Sequence, residues 1–326
     1  MDSTRKEWLL NALIAGALFA VPLWACVVNE PFIITLATRI AILAIAAVGL
    51  NIALGLGGMV SFGHALYLGL GGYVAGIAAH HAFHGTEILG LPGTNQMLPI
   101  WALATVLSGL VAGVVGALSL RTSGIFFIMI TLAFAQMGFF FTLSWPAYGG
   151  EDGLPIFVRN QFPGLNTARP WEMFLLAYAV LMLCLAAFAG LRAARFGAAL
   201  MAIRQNPDRA AALGISPFGI KLVAFVLSGM ITGLAGAMMA DLTRFVSPAM
   251  MAWTVSGELI VIIILGGVGR LFGPVAGAAI LVGFEVFFGG LTEHWKLWLG
   301  LVLLAVVLFA RGGFIGLLAG RVRHGG

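Results

Sequence analysis

The sequence predicts an all-α, polytopic integral membrane protein with about nine or ten transmembrane helices, some of them short or broken. Hydrophobic residues make up 61% of the 326-residue chain and charged residues only 9%, whereas a soluble domain carries roughly 25% charged residues. The apolar residues form separate runs, most of which reach the roughly 20 residues that cross a bilayer. The runs are continuously apolar, unlike barrel strands, which alternate in segments of about 10 residues. We therefore expect one integral membrane domain over residues 1–326.

The first and eighth runs need individual justification. The first ends near Cys26 and faintly resembles a lipoprotein cleavage site, but it has full spanning length and more spans follow at once, so we expect a retained helix. The run 255–269 is short, and the sequence leaves three alternatives for it: a full span, a re-entrant segment or half of a broken helix. The ten candidate spans are 8–28, 32–56, 60–82, 97–119, 122–145, 171–191, 218–240, 255–269, 274–290 and 296–310.

The basic residues predict that both termini are cytoplasmic. With the N-terminus inside, 12 of the 17 Lys and Arg residues fall on the cytoplasmic side, as the positive-inside rule requires. Four fall outside (Arg159, Arg169, Arg244 and Lys296), and Arg39 lies within the second span. Because the positive charge is dispersed, we expect contact with the lipid bilayer and no nucleic-acid partner.

The chain lacks the motifs of ATP hydrolysis and of intramembrane enzymes. A P-loop needs a lysine directly after a glycine, and none of Lys6, Lys221 and Lys296 follows one. There is also no His-Glu-x-x-His pair and no Gly-x-Ser-x-Gly elbow. We expect no enzyme activity and no catalytic residue in this chain.

Metal binding is not expected either. The two cysteines, Cys26 and Cys184, lie in separate apolar runs and are interpreted as core residues. The acidic pair Glu151 and Asp152 lies in an outer loop rich in glycine and proline, where a solvated turn is favoured over a cation site. The sequence therefore predicts no metal and no cofactor in this chain.

The cytoplasmic loop 192–217 contains a short helix with its own start and stop signals. Asn206 is a favoured N-cap, Pro207 suits the first helical position, and Gly214 can take the left-handed end position. Small alanines between them permit close approach by another protein, so we interpret the helix as a docking element; the alternative is a connector on the lipid surface. The expected docking residues are Arg204, Asn206, Pro207, Asp208, Arg209, Ala211, Ala212 and Gly214.

Two glycine clusters, at 55–63 and 266–277, lie one in each half of the chain. Paired glycine and proline interruptions indicate broken helices whose backbone lines a substrate path, although two cytoplasmic hairpin turns would give the same pattern. Ionisable residues inside spans add further candidates, each with a structural role as the alternative. The candidate path or gate residues are Ser61, Gly63, His64, Glu258 and Glu285.

Several segments, in the expected order, resemble the permease subunits of branched-chain amino acid ABC importers, the LivM type in particular. The resemblance covers nearly the whole chain. The loop departs from the common pattern in having Pro207-Asp208 where a single acidic residue usually follows the asparagine. The resembling segments are 58–65 with Gly71-Gly72-Tyr73, 149–154, 197–215, 221–237, 265–277, 292–295 and 308–313.

The resemblance implies an importer permease for branched-chain or related hydrophobic amino acids in a bacterial inner membrane. It further implies a second homologous permease subunit, two ATP-binding subunits that bind the ATP, and a periplasmic substrate-binding protein. The helix at 206–213 would then be the coupling helix. Two alternatives stay open: the same architecture serving urea or short amides, and an ion-coupled secondary transporter, for which Glu285 is the candidate carboxylate.

Overall fold

The structure is a computed structural model that describes residues 3–88, 91–290, 294–309 and 313–319. A helix lies over each of the ten predicted spans, which confirms the all-α polytopic class. Among the described residues the strands are two-residue pairs, β1 (Glu87–Ile88) with β2 (Leu91–Pro92) and β3 (Leu154–Pro155) with β4 (Phe245–Val246). The α-helices are α1 (Ser3–Val28), α2 (Pro31–Asn51), α3 (His64–His84), α4 (Met97–Ser119), α5 (Ile125–Leu143), α6 (Pro170–Ala193), α7 (Arg195–Gln205), α8 (Pro207–Ala212), α9 (Pro217–Thr243), α10 (Trp253–Gly266), α11 (Gly273–Gly289), α12 (Trp295–Phe309) and α13 (Gly313–Ala319).

Six helices are long and apolar enough to cross a membrane on their own: α1, α2 with its extension to Leu56, α4, α5, α6 and α9. Two more apolar helices are shorter, α10 with 14 residues and α11 with 17. At about 1.5 Å per residue, α10 is about 21 Å long and does not cross a core about 30 Å thick. The short run at 255–269 therefore forms a partial span.

Helix α9 is the centre of the packing and contacts α2, α3 and α4. Its backbone crosses that of α3 without intervening side chains: a Cβ added to Gly71 would lie 1.8 Å from the carbonyl oxygen of Gly233, and one added to Gly236 would lie 1.8 Å from that of Leu68. Small residues allow this close approach between membrane helices. The crossing fixes α3 directly against the central helix.

One end of the bundle holds α7 and α8 together with both described ends of the chain. The turn at 267–272 touches the end of α2 and also Gly313 at the start of α13. Ile315 of α13 and Ala276 of α11 form a small buried cluster, and Leu10 and Ile14 of α1 pack against it. This arrangement agrees with the predicted threading, in which this end is cytoplasmic. Residues 320–326, which include Arg321 and Arg323, lie outside the described part of the chain.

The opposite end is closed by the loop between α5 and α6. Its strand β3 pairs with β4, which follows α9, in the register Leu154 with Val246. The buried carboxylate of Asp241 accepts hydrogen bonds from Trp101 Nε1 at 2.9 Å and from Asn160 Nδ2 at 2.6 Å, which ties the loop to α4 and α9. In the same loop, burial and the neighbouring Arg244 lower the pKa of Arg159 from its ordinary value.

The acidic pair of this loop lies in a surface turn. Glu151 and Asp152 belong to a single 3-10 turn, Gly150–Asp152, and both are exposed. Among the residues described, no group of three or more His, Cys, Asp or Glu side chains is placed to hold a metal ion. The turn therefore fits the solvated-turn interpretation of the sequence.

Candidate functional site

Helix α8 is formed by the local signals that the sequence carries. Asn206 is extended, and its side-chain oxygen accepts a hydrogen bond from the backbone N–H of Arg209 at 2.9 Å. Pro207 is the first helical residue, and Gly214, which follows the C-cap residue Leu213, takes a φ of +82°. The N–H of Ile215 then bonds back to the carbonyl of Ala210 at 3.1 Å. The predicted capped helix is therefore present, with the predicted residues in the capping positions.

The surface of α8 is exposed and partly apolar. Ala210 is buried against the protein, whereas Pro207, Asp208, Arg209, Ala211 and Ala212 are exposed. The next residue, Leu213, leaves 76% of its surface uncovered. The end of the alanine helix therefore presents an uncovered apolar side chain.

The preceding helix, α7, connects this surface to the end of α2. The guanidinium of Arg204 donates a hydrogen bond to the carbonyl of Gly55. Its aliphatic stem lies against Gly58, where an added Cβ would be 2.9 Å from Arg204 Cγ. The buried Leu200 lies beside Gly57. Arg204 and Leu200 therefore anchor α7 to residues 55–58.

The two glycine clusters meet at this point. Asn51 is fully buried; its Oδ1 accepts from the N–H of Gly269 at 2.9 Å, and its Nδ2 donates to the carbonyl of Arg270 at 3.1 Å. A Cβ added to Gly55 would lie 2.9 Å from the Cα of Gly269. We call Asn51, Gly55, Arg204, Gly269 and Arg270 the cytoplasmic junction, because they join α2, α7 and the α10–α11 turn.

The chain is broken between α2 and α3. Helix α2 ends in a π-helical turn, Ile52–Leu56, and residues 57–63 are not helical. The predicted span 60–82 therefore begins as a helix only at His64. Polar groups hold this segment: Ser61 Oγ accepts from the N–H of Gly63 at 3.1 Å, and Thr131 Oγ1 accepts from that of Phe62 at 3.3 Å. Irregular backbone is tolerated at membrane depth when protein groups satisfy it in this way.

A second break precedes α10, over residues 244–252, and the two breaks meet. Ser256 in the first turn of α10 donates through its hydroxyl to the carbonyl of Phe62 at 2.6 Å and accepts from the N–H of Ala65 at 2.8 Å. The second half of the chain is thus interrupted before α10, whereas the glycine cluster at 266–277 forms the turn between α10 and α11. For that cluster the hairpin-turn alternative was the right one.

This meeting point lies inside the membrane-spanning part of the bundle. Ser228 is the twelfth of the 27 residues of α9, about 16 Å from its start. His64 Nε2 lies 2.6 Å from Ser228 Oγ, and Ser228 in turn donates to the carbonyl of Gly49 at 2.6 Å. His64 thereby joins α3 to α9 and α2.

The predicted path residues fall into three places. Ser61, Gly63 and His64 are buried together at the first break. Glu258 lies two residues after Ser256 on α10 and is half-buried. Glu285 lies apart from these, on α11, where it pairs with Arg39 of α2 at 2.9 Å. The sequence analysis missed Asn51, Ser228 and Ser256, whose only signal was a polar side chain inside an apolar run.

Comparison with known proteins agrees with this architecture. The family described as branched-chain amino acid transport system / permease component matches residues 32–311. The high-affinity branched-chain amino acid transport system permease protein LivM of Escherichia coli K12 is 27% identical over 334 aligned residues, covering 94% of this chain and 76% of LivM, and LivM of Salmonella typhimurium LT2 gives the same values. The autoinducer 2 import system permease protein LsrC of Escherichia coli K12 / DH10B is 29% identical over 233 residues, covering 67% of this chain and 65% of LsrC. No solved structure matches the chain at a significant level.

The family match covers most of the chain, including both breaks, the cytoplasmic junction and α8. Together with the apolar helices it identifies a multi-pass protein of the bacterial inner membrane that works as a transmembrane permease and not as a free-standing ion-coupled carrier. The chain belongs to the permease family of the branched-chain amino acid transport systems, as a LivM-type subunit of an ABC importer.

Proposed function

We propose that this permease carries branched-chain or related hydrophobic amino acids, and that α8 couples it to a separate ATP-binding subunit. The substrate assignment is supported by the family description and by the LivM relatives, which align over 94% of this chain. The observation that carries the coupling assignment is α8 itself, an exposed and well-capped helix with Leu213 uncovered at its end.

The complex that we propose contains four kinds of subunit. Permeases of ABC importers work in general with ATPase and substrate-binding partners. For this chain the proposed set is a second homologous permease subunit, two ATP-binding subunits and a periplasmic substrate-binding protein. The partners bind the ATP, because this chain has no P-loop.

The cytoplasmic junction supports a route for the coupling. ATP-driven closure of the ATPase subunits would displace α8 and, with it, α7. Arg204 would carry the displacement to Gly55, and Asn51 would carry it from α2 to Gly269 at the end of α10. Both breaks adjoin these elements. The movement would therefore shift α10 relative to α3 where Ser256 now holds them together.

The buried polar residues at the breaks suit a gate better than a substrate site. Ser61 and His64 are fully buried, and both bond to protein groups. We therefore assign Ser61, Gly63 and His64 to the gate. Glu258, half-buried on α10 beside Ser256, is assigned to the wall of the path that opens when α10 moves.

Uptake into proteoliposomes tests the substrate assignment. The purified complex with its binding protein should accumulate labelled leucine with ATP inside the vesicles, and excess isoleucine or valine should compete. Excess urea or acetamide should have no effect. Uptake of urea or acetamide without leucine uptake would overturn the amino acid assignment and leave the ABC permease assignment intact.

A further inference from the structure

An ion pair lies inside the membrane-spanning part of the protein, away from the gate. Arg39 Nη2 on α2 lies 2.9 Å from Glu285 Oε2 and 3.0 Å from Oε1 on α11. The two side chains are not fully covered, because 39% of Arg39 and 29% of Glu285 remain exposed. A second ion pair, Arg169 with Glu172, lies at the outer surface.

The packing of α10 against α11 fixes the depth of this pair. Gly273 lies against Gly266 and Gly277 against Ile262, so the two helices are antiparallel, and the same register places Glu285 level with Thr254. Helix α10 begins at Trp253, one residue earlier. The ion pair is therefore level with the start of α10, which contacts both α2 and α11. Towards the outer surface from this level the chain continues as the segment 244–252, which contains β4 and a single 3-10 turn, Pro248–Met251.

The exposed fraction of the pair has to face water or protein. Charged side chains inside a membrane are costly when they face lipid and usually face a cavity or a partner. Helix α10 is about 21 Å long and does not fill a core about 30 Å thick, so the outermost part of the space beside α2 and α11 is left without α10. Thr254 and Trp253 are exposed at the same level, Trp253 by 50%. These features indicate an entrance on the outer side of the gate.

We propose that Arg39 and Glu285 bind the charged end of an α-amino acid as it enters from the outer side, an inference that rests on the proposed function. The guanidinium of Arg39 offers a planar fork that matches a carboxylate. The carboxylate of Glu285 accepts hydrogen bonds from an ammonium group. When a zwitterion binds, its carboxylate takes the place of Glu285 beside Arg39 and its ammonium group takes the place of Arg39 beside Glu285. Each charge therefore keeps a counter-charge during the exchange. The exposed ring of Trp253 offers an apolar surface to the substrate side chain.

Two double variants separate recognition from structure. R39Q/E285Q removes both charges without leaving either one alone, and R39E/E285R restores an ion pair with its polarity reversed. We expect both variants to assemble with the ATPase subunits, but to lower leucine uptake at least tenfold at saturating binding protein. The matched control is E172Q, which breaks the outer surface pair and should leave uptake unchanged. Uptake by R39E/E285R within twofold of the unmodified complex would overturn the proposal, because a structural pair tolerates reversal.

A single conservative variant tests the proposal if the double variants fail to assemble with the ATPase subunits. R39K keeps the positive charge beside Glu285 but lacks the bidentate fork, so the half-saturating leucine concentration should rise at least threefold with the maximal rate retained. An unchanged half-saturating concentration would overturn the proposal. If the unmodified complex assembles, hydrolyses ATP and takes up no leucine, the substrate assignment has failed, and that result is distinct from every outcome above.

Discussion

Replacing Asn51 by alanine should loosen the cytoplasmic junction. The change removes two hydrogen bonds, to the N–H of Gly269 at 2.9 Å and to the carbonyl of Arg270 at 3.1 Å, from a fully buried site. Leaving a buried polar group without its partner costs about 1–3 kcal/mol, so the two together cost roughly 2–6 kcal/mol. The substitution weakens the contact between α2 and the α10–α11 turn, because the Asn51 side chain bonds to that turn.

The measurement is thermal stability by size-exclusion chromatography: the temperature at which the monodisperse elution peak of the heated, purified complex falls to half of its height. We expect N51A to lower this temperature by on the order of 5 °C, and to lower the amount of leucine moved per ATP hydrolysed. The matched control is T38V on the same helix. Thr38 is equally buried, but its hydroxyl bonds only within the helix, to the carbonyl of Ile34 at 2.8 Å. An effect of T38V as large as that of N51A would refute the reasoning.

Three further predictions concern the crossing, the gate and the outer turn. G71A should abolish folded complex, because its Cβ would lie 1.8 Å from a backbone carbonyl, whereas G283A, with no atom within 4 Å of the added Cβ, should purify in normal yield. S256A should lower uptake at least fivefold and S256T should retain it, because the hydroxyl bonds two backbone groups at the breaks; equal uptake by both variants would contradict the gate. E151Q should leave leucine uptake unchanged with or without EDTA, and a loss in either assay would restore the cation-site alternative for the outer loop.

Much of the fold could be predicted because its signals are local. Ten continuously apolar runs gave ten helices, and α8 could be placed to within one residue at each end because its cap, its first-position proline and its terminal glycine lie within nine residues of one another. The start of α3 could not be predicted in this way. Residues 60–63 are apolar enough for a span, but they are held out of the helix by Thr131 and Ser256, which lie 69 and 194 residues away.

The candidate site could be predicted only in part, because many of its contacts join residues that are distant in the sequence. The glycine clusters pointed to the right part of the first half, where the chain is broken, but not to the break before α10, which contains no glycine. Asn51 and Ser256 acquire their roles from partners 191 or more residues away. Glu285 could be recognised as a charge inside a span, but its partner Arg39 lies 246 residues away and only the packing of α2 against α11 identifies it.

The central claim is that α8 docks on a separate ATP-binding subunit, and co-purification from detergent-solubilised membranes tests it most directly. The tagged chain should bring ATP-binding subunits with it, and the eluate should hydrolyse ATP. A211R, which places a long cation on the exposed face of α8, should release these subunits and the activity. A168R, an equally exposed alanine in the outer loop, should retain both. Retention of the ATPase subunits by A211R, or purification of the unmodified chain without any, would contradict the account.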